Sequence, residues 1–217
     1  MKTKTKIKIS FITLIILFFP IKEKSKEVHL RHTTIESNLR KKLIENKRSW
    51  SKSDIVKAVT ALYIGEKYYN IDHHIVLSVI QIETDYYIYS INRNKDRIAS
   101  IDYGPCQINT QSLDDLYNRA EVILIKEKIN NFDKSNLYDI QLNILSCYIH
   151  LNDYKQELVQ KKEYNFMRWI QSYNCGINGS SDKEVYKHLR EKKAKYYVKF
   201  VQTTIEDKNE LTEVVLN

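Results

Sequence analysis

The chain has 217 residues, long enough for one domain with a true hydrophobic core and short for two. Four glycines and two prolines are few breaks for that length, which points to a mainly α protein and away from a turn-rich β one. The net charge of +8 suits an anionic partner, but the basic residues are scattered and no stripe interleaves them with aromatic rings. A nucleic-acid groove is therefore set aside in favour of a solvated surface drawn to anionic envelope material.

The first eight residues, MKTKTKIK, are basic, and thirteen uncharged residues follow, ISFITLIILFFPI. An apolar run of that length is short for a membrane span and suits the hydrophobic region of an export signal. Residues 1–21 read as a signal peptide or an N-terminal membrane anchor, with 9–21 as the inner-membrane contact. No small-x-small cleavage site follows, and no cysteine follows that could carry a lipid. The expected location is outside the cytoplasm, in the periplasm or cell envelope. Residues 22–50 hold nine Lys or Arg against four Glu and read as a charged, partly helical spacer, with Leu39, Leu43 and Ile44 as a short apolar stripe. The folded domain is expected over 51–203, and 204–217 as a flexible acidic tail.

Ser51 with Asp54 three residues on has the spacing of a capping box, and Ile55, Val59, Leu62 and Tyr63 then recur at helical period. Asp72 suits the N-cap of the next helix. There Ile75, Val76, Leu77, Val79, Ile80 and Ile82 leave almost no polar face, as in a buried central helix. Two β-leaning runs, Ile88–Ile91 and Arg97–Ile101, flank the polar NRNKD and predict a small hairpin. Further helices are expected at 111–128, 137–159, 164–173 and 182–203. The fold class read from these elements is mainly α, in an α+β arrangement with one β-hairpin.

Glu83 is the anomaly, a carboxylate ending the most apolar helix of the chain. Taken alone it reads as a solvated helix-end glutamate. Partial desolvation would instead raise its pKa and make it a general acid. Asp85, two residues on, lies about 200° round a helix and faces elsewhere. Asp102 is the other candidate for a second carboxylate. His73 and His74 are adjacent without a partner at metal-ligand spacing, and His150 and His188 are isolated. No nucleophile elbow and no phosphate loop occurs. Cys106, Cys147 and Cys175 read as small buried thiols, with one disulfide left open.

The segment IDYGPCQIN, residues 101–109, places a Gly and a Pro side by side in a chain that has few of either. It is one of five ordered pieces that resemble the lytic transglycosylases, lysozyme-like bacterial enzymes that cleave peptidoglycan. VIQIETDYY resembles their helix ending in a catalytic Glu and a Ser, here Glu83 and Thr84. DYGPCQINTQSL resembles their Gly-Leu-Met-Gln segment, with Gly104 and Gln107 matching and Asn109 beyond. LYDIQLNILSCYIHL is similar to their Asp-Pro-x-x-Asn-Ile helix at Asn143 and Ile144. WIQSYNCG resembles their Ala-Tyr-Asn-Ala-Gly motif at Tyr173, Asn174 and Gly176, and YYVKFV their closing helix at Tyr197, Val198 and Val201. The pieces span about residues 52–202. The Asp-x-Gly-x-x-Gln-Ile-Asn form is nearest to the specialised transglycosylases of conjugation and secretion systems. Pro105 and Cys106 replace the usual Leu-Met, Ile101 and Asp102 stand where Gly-Ala is common, and Cys147 and Cys175 replace Gly and Ala.

The resemblance implies a lysozyme-like fold with the hairpin beside the cleft. It implies Glu83 as the single catalytic acid and base, and Thr84, Gly104, Gln107, Asn109, Tyr173 and Asn174 as substrate-binding residues. It implies peptidoglycan glycan strands as substrate, no metal and no cofactor, and an envelope secretion or conjugation apparatus as the associated machinery. The alternatives are a hydrolysing muramidase using Asp102 and a non-catalytic peptidoglycan-binding scaffold subunit.

Overall fold

The computed structural model describes residues 11–93, 100–176 and 202, with side chains from Lys26 onward except those of Met167, Asn174 and Cys175. The helix expected at 182–203 and the acidic tail fall almost wholly outside these residues. The protein is mainly helical with a small antiparallel sheet. Six helices are described: α1 (Phe11–Glu45), α2 (Lys52–Tyr69), α3 (His73–Thr84), α4 (Thr110–Lys126), α5 (Ile140–Gln160) and α6 (Phe166–Cys175).

Local chemistry explains where most of them start. The Ser51 hydroxyl oxygen accepts from Asp54 N at 3.1 Å and donates to the Asp54 carboxylate at 2.7 Å. Asp72 accepts from His74 N at 2.9 Å, as its N-cap position predicts. Asn109, Asp139 and Asn165 cap α4, α5 and α6 in the same way. α2 and α3 both stop at a left-handed residue, Asn70 (φ 50°) and Asp85 (φ 48°), whose N–H bonds back to the last turn.

α5 is the centre of the molecule, with every residue from Ile140 to Ile149 buried. α2 lies along it. Gly65 allows the approach, since a Cβ there would stand 2.2 Å from the Tyr148 ring. α3 buries His73 and everything from Ile75 to Ile80, as expected of a central helix.

Packing begins well before Ser51, where the sequence placed the start of the domain. Ile35, Leu39 and Leu43, spaced four apart on α1, are buried in the same core, and Trp50 donates from Nε1 to Tyr86 O at 2.8 Å. Most of the segment read as a spacer is thus helix, and its second half packs into the core. Ile44, grouped with that stripe, is 77% exposed, because it lies about 100° round the helix from Leu43. Among the described residues no helix is long and apolar enough to cross a membrane.

The expected hairpin is present as an antiparallel pair, with its strands shifted along the chain and a third strand added. The strands of the sheet are β1 (Ile91–Arg93), β2 (Ile101–Tyr103) and β3 (Ile108–Asn109), antiparallel in that order, with Asn92 opposite Asp102 and Asp102 opposite Asn109. Ile88–Ser90 is not a strand. Asp85 and Tyr86 both have positive φ, and the Tyr86 hydroxyl donates to Leu77 O at 2.9 Å, so the chain folds back on α3 and buries Ile88. The third strand is only two residues long and carries no periodic signal.

Candidate active site

The four residues Gly104 to Gln107 form the tight turn between β2 and β3, closed by Gln107 N donating to Gly104 O at 3.1 Å. Gly104 has φ +75°, and a Cβ on it would lie 2.5 Å from Asn143 Nδ2 and 2.7 Å from Asn143 Cγ. Glycine is therefore required twice over, by conformation and by space. The Gly-Pro pair thus opens a tight turn that lies inside the sheet, between β2 and β3.

Three helices grip this turn. From the end of α3, the Thr84 hydroxyl contacts Pro105 O at 3.1 Å and Ile80 O at 3.0 Å. From α5, the fully buried Asn143 accepts from Cys106 N and donates to Tyr103 O, each at 2.9 Å. From α6, the Tyr173 hydroxyl donates to Cys106 O at 2.8 Å. Ser90 O receives Gly104 N at 3.0 Å. Gln107 sits at φ +51°, and its side-chain nitrogen donates to Gly104 O at 2.8 Å and reaches Ser90 O at 3.4 Å. The amide nitrogen of Gln107 thus braces the turn from within.

Glu83 is half-buried in the last turn of α3, one residue before Thr84. Its charge reaches the Cys106 thiol. Burial, a hydrogen bond with the Cys147 thiol and the Glu83 charge all push Cys106 well above the usual thiol range. Both thiols are buried and unbridged, as the sequence reading preferred; the side chain of Cys175 is not described. Such a thiol is a poor nucleophile.

Asp85, in contrast, is an exposed cap. Asp102 occupies the middle strand. Asn109 Nδ2 donates to its Oδ1 at 2.6 Å and Asn92 Nδ2 to its Oδ2 at 3.2 Å, so one amide from each flanking strand holds this carboxylate. Asn109 also caps α4 through its own side-chain oxygen, 2.9 Å from Gln111 N. Tyr87 and Tyr89, both exposed, follow α3 on the approach to the sheet. Tyr89 and Tyr103 each meet the Tyr138 ring at 5.6 Å, edge-on.

Of the residues expected in the site, Thr84, Gly104, Gln107 and Tyr173 come together on one turn, and Glu83 adjoins it through Thr84. Asn109 sits on the neighbouring strand with Asp102. Asn174 lies on α6 beside Tyr173, its side chain undescribed. Asn143 lies outside the expected site residues, and it holds both a backbone N–H of the turn and the carbonyl that precedes it. Its signal was an Asn within a nearly continuous apolar run, a place where a polar group must find partners. No protein-family model matches the chain, and no curated protein sequence matches it.

Proposed function

We propose that the protein is a peptidoglycan lytic transglycosylase acting through Glu83. The observation that carries this reading is convergence. Sequence pieces that begin near residues 79, 102, 137 and 169 meet at the turn Gly104–Gln107, through the hydrogen bonds of Thr84, Asn143 and Tyr173. A chance resemblance would have no reason to bring those residues to one place.

In the proposed reaction, protonated Glu83 gives its proton to the glycosidic oxygen between N-acetylmuramic acid and N-acetylglucosamine. The C1–O bond breaks through an oxocarbenium-like state. The resulting Glu83 carboxylate takes the proton of the same muramic acid's 6-hydroxyl, whose oxygen attacks C1 and closes a 1,6-anhydro ring. The nucleophile is already tethered, so no second carboxylate is needed to hold a water. The exposed tyrosines beside the turn offer rings on which sugar faces can stack. The basic surface and the apolar N-terminal run fit an enzyme working in the envelope on an anionic wall, beside a secretion or conjugation apparatus.

A second reading is favoured by the row Asn92–Asp102–Asn109. Two amide donors fix the position of the Asp102 carboxylate, as a hydrolysing muramidase requires of a second carboxylate. The test is mass spectrometry of the fragments released from purified peptidoglycan by the full-length chain, beside its Glu83→Gln variant. Anhydro ends from the wild type alone are expected. Reducing ends would transfer the reading to the muramidase. No release, with wall binding intact in both folded proteins, would make this a scaffold.

A further inference from the structure

Away from Glu83, the densest cluster of metal-ligating side chains among the described residues lies where α1, α2 and α3 meet. His73 and His74 open α3, their ring centroids 4.3 Å apart and tilted by 37°. Both rings reach one atom of α1: Asn38 Nδ2 is 3.0 Å from His73 Nε2 and 3.2 Å from His74 Nε2. An amide nitrogen carries two hydrogens, one for each ring, so each Nε2 directs a lone pair at the same point.

The other side of His73 fixes that arrangement. Its Nδ1 is 3.3 Å from Glu66 Oε1 and 3.6 Å from Asp72 Oδ1. The Glu66 carboxylate also accepts from Arg31 Nε at 2.8 Å, so it is pinned between a guanidinium and the imidazole. The Asn38 Nδ2 group can only donate and a carboxylate paired with Arg31 accepts, so the His73 ring meets the amide through Nε2 and the carboxylate through Nδ1. A carboxylate behind an imidazole in this way is the usual outer support of a metal-bound histidine. His73 is fully buried and held in place, while His74 and Asn38 are half-buried, which leaves a way in. A carboxylate oxygen of Asp72 and one nitrogen from each ring also lie within 4.8 Å of one another. Glu66 and Asp72 together outweigh the single charge of Arg31, so the surroundings favour a cation.

We propose that His73, His74 and Asn38 form a site for a divalent transition-metal ion of the zinc class, with Glu66 and Asp72 supporting it. Metal–imidazole bonds are about 2.0–2.1 Å, so each ring closes by roughly 1 Å on the point the amide now holds. Asn38 turns its amide to present Oδ1 as an oxygen ligand. Two imidazole nitrogens and an oxygen are donors suited to Zn²⁺ or Cu²⁺ and ill suited to Mg²⁺ or Ca²⁺. The bound ion would tie α1 to the helix that carries Glu83. The site is independent of the proposed glycan chemistry.

The test is calorimetric titration of ZnCl₂ into the chelator-stripped full-length chain at neutral pH, with the thermal midpoint followed in parallel. One equivalent binds and the midpoint rises. His74→Ala and Asn38→Ala each weaken binding at least about tenfold, while His29→Ala and His32→Ala leave it unchanged. With Cu²⁺ as probe, the electron paramagnetic resonance spectrum shows two imidazole nitrogens. His74 and Asn38 are half-buried, so their variants are expected to fold, and circular dichroism checks it. No saturable binding by about 100 µM free zinc, a stability shift of the order the linkage relation requires being absent, would overturn the proposal. So would wild-type affinity in folded His74→Ala, or a loss that follows His29 or His32 instead.

Discussion

The turn at Gly104–Gln107 and the junction of α1 with α3 are both polar clusters set among buried helices, and they are built from different materials. The turn is held by neutral groups, a hydroxyl, an amide and a phenol on backbone carbonyls and an N–H. The α1 junction is held by charged and titratable groups, Arg31 on Glu66 and Asn38 between two imidazoles. The first therefore answers to shape and the second to pH. A site that must keep one geometry across conditions is better built from the first kind.

The comparison breaks most readily at Gly104. Gly104→Val adds left-handed strain and a clash with Asn143, together about 4 kcal/mol of destabilisation in urea unfolding. A loss under 1 kcal/mol would mean that the turn is not held as described. Leu39→Ala, on the α1 side, opens a cavity and costs about 3 kcal/mol, whereas exposed Ile44→Ala stays within about 0.5 kcal/mol. Equal effects from the two would return α1 to a spacer. Asn143→Ala leaves the buried Cys106 N without its partner, removes a hydrogen bond from Tyr103 O, and costs about 2 kcal/mol. Its loss should be the same at pH 5 and pH 7, since no charge is involved.

Acid should act on the other region. The Glu66 carboxyl is held at about 2 in the folded chain against an ordinary 4.5, so the unfolded state takes up its proton first. The stabilisation is full above the ordinary value and is lost as pH falls from about 5 toward 2. Acid unfolding followed by circular dichroism should therefore be shallower over that window in Glu66→Gln than in the wild type. An unchanged slope would sever Glu66 from the junction. The smallest effect is a silence: Cys106 and Cys147 should resist a thiol reagent in the native protein and react once it is unfolded. Labelling of either under native conditions would contradict their burial.

Helix starts were legible because they are local. Ser51 and Asp54, or Asp72 and His74, are neighbours in the chain, and their hydrogen bonds form wherever the helix does. The apolar run of α3 likewise announced a buried helix. Of the site, the named residues could be read by resemblance, but not what each one holds. Thr84, Asn143 and Tyr173 meet the turn across separations of 21, 37 and 67 residues. No periodicity records such a pairing.

The sequence by itself determined the helical class and the caps at Ser51 and Asp72, since each depends on residues within a few positions of one another. Only the tertiary structure decided that α1 belongs to the core, that a third strand brings Asn109 to Asp102, and that Asn38 joins two histidines 35 and 36 residues away. Those contacts exist because burying apolar faces of distant helices forces particular polar groups together, and a buried polar group must find a partner where the packing leaves it.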